Sequence, residues 1–90
     1  LTGTGHAAFA ADVADPAACE RLVADVTAHF GRLDVLVNNA GIYEDDAIKT
    51  ASYADWQRVW QRTLAVNLTG PANLTYLAVQ RLRAQGGGRI

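Results

Sequence analysis

The chain has 90 residues, half of them apolar, with eight Lys and Arg against nine Asp and Glu for a net charge of −1. That length suits one small domain or part of a larger one, and the scattered, balanced charge gives no electrostatic case for a nucleic-acid partner. The longest apolar runs fall far below the roughly 18 residues of a membrane span, so no membrane partner is expected, and the single Cys19 allows no internal disulfide.

The chain opens on "LTGTGHAAFAADV" with no complete element before it, contains no Met, and stops at "GGGRI", where a strand is starting. It reads as an excerpt from the middle of a longer chain. No signal peptide stands at its start, and a lone cysteine fits a reducing compartment, so a cytoplasmic location is expected. Residues 6–13, "HAAFAADV", are short, apolar and rich in small residues, and read as a buried strand ending near Asp12. Asp15 is a good N-cap and Pro16 suits the first helical position. From there Cys19, Leu22, Val23, Val26 and Phe30 recur at helical spacing, and Gly31 stands where a helix-terminating glycine belongs. A helix over 16–30 follows.

Residues 33–38, "LDVLVN", form a continuous apolar run of the kind that a parallel strand covered on both faces requires. Strand, helix and strand over this length make a βαβ unit. Residues 42–52 read as a loop with room for a short helical turn. Residues 53–84 read as one long helix, with Trp56, Trp60, Leu64, Leu68, Leu74, Ala78 and Leu82 on one broad stripe. Gly86–Gly88 end it, and Arg89–Ile90 open a third strand. Pro71 lies inside the helical pattern and has no N–H for the carbonyl of Asn67. The spacing therefore predicts a bend near 67–71, with that carbonyl freed toward a water or ligand.

Polar residues gather at the carboxyl ends of the two expected strands, where open parallel sheets bind ligands. Asn38 and Asn39 end one strand, and Ala40 and Gly41 leave room for close backbone approach. The amides equally suit tying neighbouring strands and capping a turn, and both roles are compatible. Asp12 lies on the same rim; on its own it is better read as the start of the "DVADP" turn. "GTGHAA" at 3–8 nominally fits a phosphate-loop pattern, but no strand precedes it and no helix opens on it. The two "NLT" sequons, at Asn67 and Asn73, lie inside the long helix and are read as chance. His6 and His29 have no ligand-spaced partners, so no metal site is indicated. His29 most simply faces the dipole at the end of its helix.

Taken together, "DV" at 12–13, "GRLDVLVNNAG" at 31–41, Trp60, "VNLTGP" at 66–71 and "GGGRI" at 86–90 resemble, in order and spacing, the central part of the short-chain dehydrogenase/reductase family. The resemblance implies an α/β, Rossmann-like doubly wound parallel sheet, with residues 1–90 supplying the central part of a single NAD(P)-binding domain: two strands, two main helices and the start of a third strand. It implies an oxidoreductase that moves hydride between NAD or NADP and a small carbonyl or alcohol substrate. Asn67 matches the asparagine of the family's Asn-Ser-Tyr-Lys catalytic set. Asp12 and Val13 match the pair that reads the adenine ring, while Asn38, Asn39, Ala40 and Gly41 match the turn that borders the adenosine ribose. The helix over 53–84 matches one that often packs on another subunit, so a homodimer or homotetramer is expected through it. The family's glycine-rich loop would lie before this chain, and its Ser and Tyr-x-x-x-Lys after it, so the 90 residues alone are expected to be inactive. Two rival readings are a nucleotide-binding sensor without turnover and an inactive truncated fragment.

Overall fold

Asp15 starts the first helix as the sequence requires. Its carboxylate accepts a hydrogen bond from the Ala17 N–H at 3.0 Å, Pro16 occupies the first turn, and Gly31 ends the helix at φ 80°, in the left-handed region that glycine enters without strain. In the computed structural model, which describes residues 3–45 and 47–90, this helix is α1 (Pro16–Phe30). It is followed by α2 (Tyr53–Leu64), a π turn (Ala65–Thr69) and α3 (Gly70–Gln85). The last three run end to end as one helical rod. His29 does not stand alone at the end of α1: its ring packs edge-on against both Phe9 and Phe30.

The rod differs from the expected single stripe. Leu74, Ala78 and Leu82 are buried, with α1 packed on α3, whereas Trp60, Leu64 and Leu68 are exposed. Leu82 therefore belongs to the covered face, while Trp60 and Tyr76 remain half or more exposed at 52% and 67%. The cause is simple: among the described residues no other helix packs on α2. Pro71 also acts differently from a plain kink. The helix widens into a π turn just before it, where the Gly70 N–H bonds the Ala65 carbonyl five residues back, and Pro71 then falls in the first turn of α3, where its missing N–H is tolerated.

The two expected strands are extended but build no ladder. Residues 6–12 and 33–38 carry no paired strand; the one β-bridge among the described residues is parallel, between Val35 and Arg89. Leu36 N–H bonds Arg89 O and Arg89 N–H bonds Asp34 O, each at 2.9 Å. A strand is a pairing and not a property of one segment, and apolar runs without neighbours stay as bare extended chain. Val37, 75% exposed, shows the consequence on an unpaired strand. The radius of gyration, 16.2 Å, exceeds the roughly 12 Å of a compact chain of this length. No helix among the described residues is long and apolar enough to cross a membrane. The turn in the 42–52 loop falls at residues 48–50; Asp46 lies outside the described residues.

The core is small. Cys19, Val23 and Leu74 meet at its centre, with Val13, Leu22, Leu33, Leu36 and Leu77 around them. Cys19 is fully buried and its thiol reaches the Val13 carbonyl at 3.4 Å. Burial, aided by the negative charges of Asp15 and Asp12, pushes the thiol pKa above its ordinary 9.0. The fold thus favours the neutral thiol. That contribution is complete below pH 9.0 and is lost as pH rises through the raised folded value. Native protein should therefore react with iodoacetamide at pH 8 far more slowly than a free thiol does, and chemical-denaturation stability should decline above pH 9. Rapid native alkylation at Cys19 would contradict the packing described.

Candidate active site

Asn67 sits in the π turn and grips the segment that follows the strand. Its Oδ1 accepts from the Ile42 N–H at 2.8 Å, and its Nδ2 donates to the Ile42 carbonyl at 2.7 Å. Both backbone groups of one residue are thus held by one side-chain amide, as a neighbouring strand would hold them. The neighbouring Gly41 also lies close to Asn67: a Cβ there would stand 3.6 Å from Oδ1, in ordinary contact. The bend expected near 67–71 is a π turn, and the Asn67 side chain fixes the chain just beyond "NNAG". A wide turn gives the amide this reach, and π turns of this kind recur at functional sites.

A second clamp works at the other end of the same segment. Gln85, in the last turn of α3, accepts from the Leu33 N–H at 2.9 Å and donates to the Leu33 carbonyl. Between the two clamps, Asn38 Nδ2 donates to Thr75 Oγ1 at 3.3 Å. The asparagine pair is therefore divided. Asn38 ties the strand end to α3, which is the structural role weighed for it, while both amides also line a cavity.

That cavity, about 310 Å³, is bounded by Val13, Asn38, Asn39, Ala40 and Pro71 at the rim and by apolar side chains of α1, α3 and residues 33–37 within. Four of the residues singled out in the sequence thus share one wall. Asp12 does not line it. Its Oδ1 accepts from the Ala14 N–H at 2.9 Å and its carbonyl accepts from the Asp15 N–H at 3.0 Å, which is the turn-forming role. One carboxylate oxygen remains for an outside donor. Among the described residues, no group of three or more His, Cys, Asp and Glu gathers as a metal site.

The profile of short chain dehydrogenases matches residues 2–90. The chain belongs to the short-chain dehydrogenase family. It is 40% identical over 85 residues to an uncharacterized short-chain type dehydrogenase/reductase of Sinorhizobium fredii, covering 94% of this chain and 32% of that protein. It is 39% identical over 85 residues to the D-threitol dehydrogenase of Mycolicibacterium smegmatis, covering 94% of this chain and 31% of that one. The crystal structure of a short-chain dehydrogenase from Streptomyces avermitilis superposes with a TM-score of 0.67 at 32% identity, over 89% of this chain and 28% of that one. The chain thus spans about a third of the length of the curated relatives it matches, and these matches give it a Rossmann-like fold.

Sequence reasoning missed one residue that shapes the rim. Gly70 lets the rod approach Val13: a Cβ at Gly70 would stand 2.5 Å from the Val13 carbonyl oxygen and 2.9 Å from that of Ala65. Backbone on both sides cannot swing away as a flexible side chain can. The available signal was a glycine inside a helix, which costs about 1 kcal/mol relative to alanine and usually has a packing reason. Gly70→Ala should push α3 off the 12–13 turn and lower stability by about 1–3 kcal/mol as overpacking does. A variant with wild-type melting would refute the close approach.

Proposed function

We propose that this chain supplies the adenosine-binding rim and one catalytic asparagine of an NAD(P)-dependent oxidoreductase acting on a small carbonyl or alcohol. The observation that carries the reading is the Asn67 clamp on Ile42. It locks the residue after the "NNAG" turn to the helix that bears the family's catalytic asparagine, so the rim and the catalytic position move as one. The residues present suit the nucleotide's adenosine end. Val13 and Ala40 offer an apolar wall, Asn39 an exposed amide, and Asp12 a carboxylate oxygen for an amino group. Bound NAD(P)H would supply the hydride. The chain's own part is to orient: the wide turn holds Asn67 at a fixed depth beside the strand end, where its backbone carbonyl, and not the amide committed to Ile42, would anchor a proton-carrying water. The family's carbonyl chemistry supports the substrate class, and D-threitol dehydrogenase among the relatives adds polyols to the candidates.

Asn67→Leu should lower kcat at least tenfold, equivalent to about 1.4 kcal/mol, while the cofactor Kd changes little. Asp12→Asn keeps the turn acceptor but removes the charge, and should weaken cofactor binding by roughly 1–2 kcal/mol with kcat nearly intact. Steady-state kinetics and cofactor titration separate the two. A full-rate Asn67→Leu enzyme would overturn the catalytic assignment.

The exposed residues Leu64, Leu68 and Tyr76 on the rod form the proposed contact with a second copy of the chain, giving a homodimer or homotetramer. Isolated apolar residues on a surface need no explanation, but a row along one helix marks an interface. Light scattering at micromolar concentration should give a dimer or larger, and Leu68→Glu should dissociate it. A monomer before substitution would end this reading.

A further inference from the structure

The loop that leaves Ile42 runs into an aromatic cleft on α2. The cleft, about 250 Å³, lies between Tyr43, Trp56 and Trp60, with Glu44, Asp45, Val59 and Thr63 completing its walls. The two indole rings stand 5.8 Å apart and tilted by 45°, an open pair whose faces are not stacked on each other.

We propose that the cleft is a substrate subsite for an organic ammonium group. The inference rests on the oxidoreductase reading above and names the substrate class for it. Two features select a cation. Aromatic faces carry negative quadrupole charge and attract ammonium groups, most strongly on Trp. One carboxylate of the cleft is left to add net negative charge, because the nearby arginines are engaged with others. Arg62 Nε donates to Glu44 Oε1 at 3.1 Å, and Arg58 is paired with Asp55 one turn away. Glu44 is thus neutralised, and Asp45 supplies the charge that an anionic ligand would meet as repulsion. Position selects a substrate rather than an unrelated ligand. Tyr43 follows directly on Ile42, the residue held by Asn67, so the cleft opens from the segment that the proposed catalytic asparagine holds.

The test titrates the intrinsic tryptophan fluorescence of the full protein with choline chloride and with its uncharged isostere 3,3-dimethylbutan-1-ol, at matched ionic strength. Choline should give a saturable change and the alcohol should bind at least tenfold more weakly. Asp45→Asn, which preserves shape, should weaken choline at least threefold, and Trp56→Leu should abolish saturation with the far-UV circular dichroism unchanged. Equal affinity for the two probes would show an apolar groove without charge selection and overturn the proposal, as would no saturation or an unaffected Asp45→Asn variant. The assay needs no turnover. A protein that saturates with choline but transfers no hydride overturns the oxidoreductase reading and leaves the ammonium site standing. One that transfers hydride but ignores choline overturns only the subsite.

Discussion

An extended backbone segment exposes a donor and an acceptor at each residue, and these groups need partners once water is excluded. In residues 33–42 the ends are held by a helix. Asn67 takes both backbone groups of Ile42, and Gln85 takes both of Leu33. Each amide has a donor and an acceptor in one plane, which is what a peptide group in a neighbouring strand presents. The rod therefore holds the segment at two points eighteen helical positions apart, and the strand end, the "NNAG" turn and the start of the 42–52 loop take their places from it. Each bond contributes only about 0.5–1.5 kcal/mol net. Its larger effect is on position, because a two-point attachment leaves no freedom to slide in register.

The wide turn is what allows the clamp at Asn67. In an α-helical register the Asn67 carbonyl would look to position 71, a proline with no N–H, and the ring would press on it. Opening the helix by one residue relieves that clash and keeps the rod continuous, with Leu64, Ala65, Thr69 and Gly70 all in right-handed helical geometry. Proline and asparagine, four apart, thus act together: one makes the regular register costly and the other occupies the irregular turn. Gly70 completes the arrangement by letting the turn approach the Val13 carbonyl. The surrounding contacts are modest. Even the fork of Arg32 on Asp34, which holds that carboxyl below its usual range, joins two exposed side chains and adds little to stability.

The helices were legible because their signals are local. Asp15, Pro16 and Gly31 mark both ends of α1 without reference to anything distant, and Gly86, at φ 96°, does the same for the rod. The strands were legible only as apolar runs. Whether such a run becomes a ladder depends on a neighbour, and residues 6–12 find none here. The site was legible in part for the same reason. Asn38, Asn39, Ala40 and Val13 could be gathered because strand ends share a rim, and they do share a cavity wall. Asp12 could not be placed from sequence, since turn formation and ligand binding ask for the same residue type; its Oδ1 bond to Ala14 gives it the first role at least. Gln85 carried no signal at all, because a glutamine near a helix end is ordinary until the residue it meets is known.

The division of the rod into a covered half and an open half follows from which faces find a partner. Spacing alone put Trp60, Leu64, Leu68, Leu74, Ala78 and Leu82 on one stripe. Leu68 and Leu74 are six positions apart, however, which at about 100° per residue places them about 240° beyond a full turn from one another, and the π turn shifts the register further. The two halves of the stripe therefore face different sides of the rod. Its later part meets α1 and buries Leu74, Ala78 and Leu82; its earlier part emerges where no helix among the described residues lies. Trp56 and Trp60 line a cleft with Tyr43 of the loop that leaves Ile42, so the aromatic residues that fail to join the core gather on the open half of the rod.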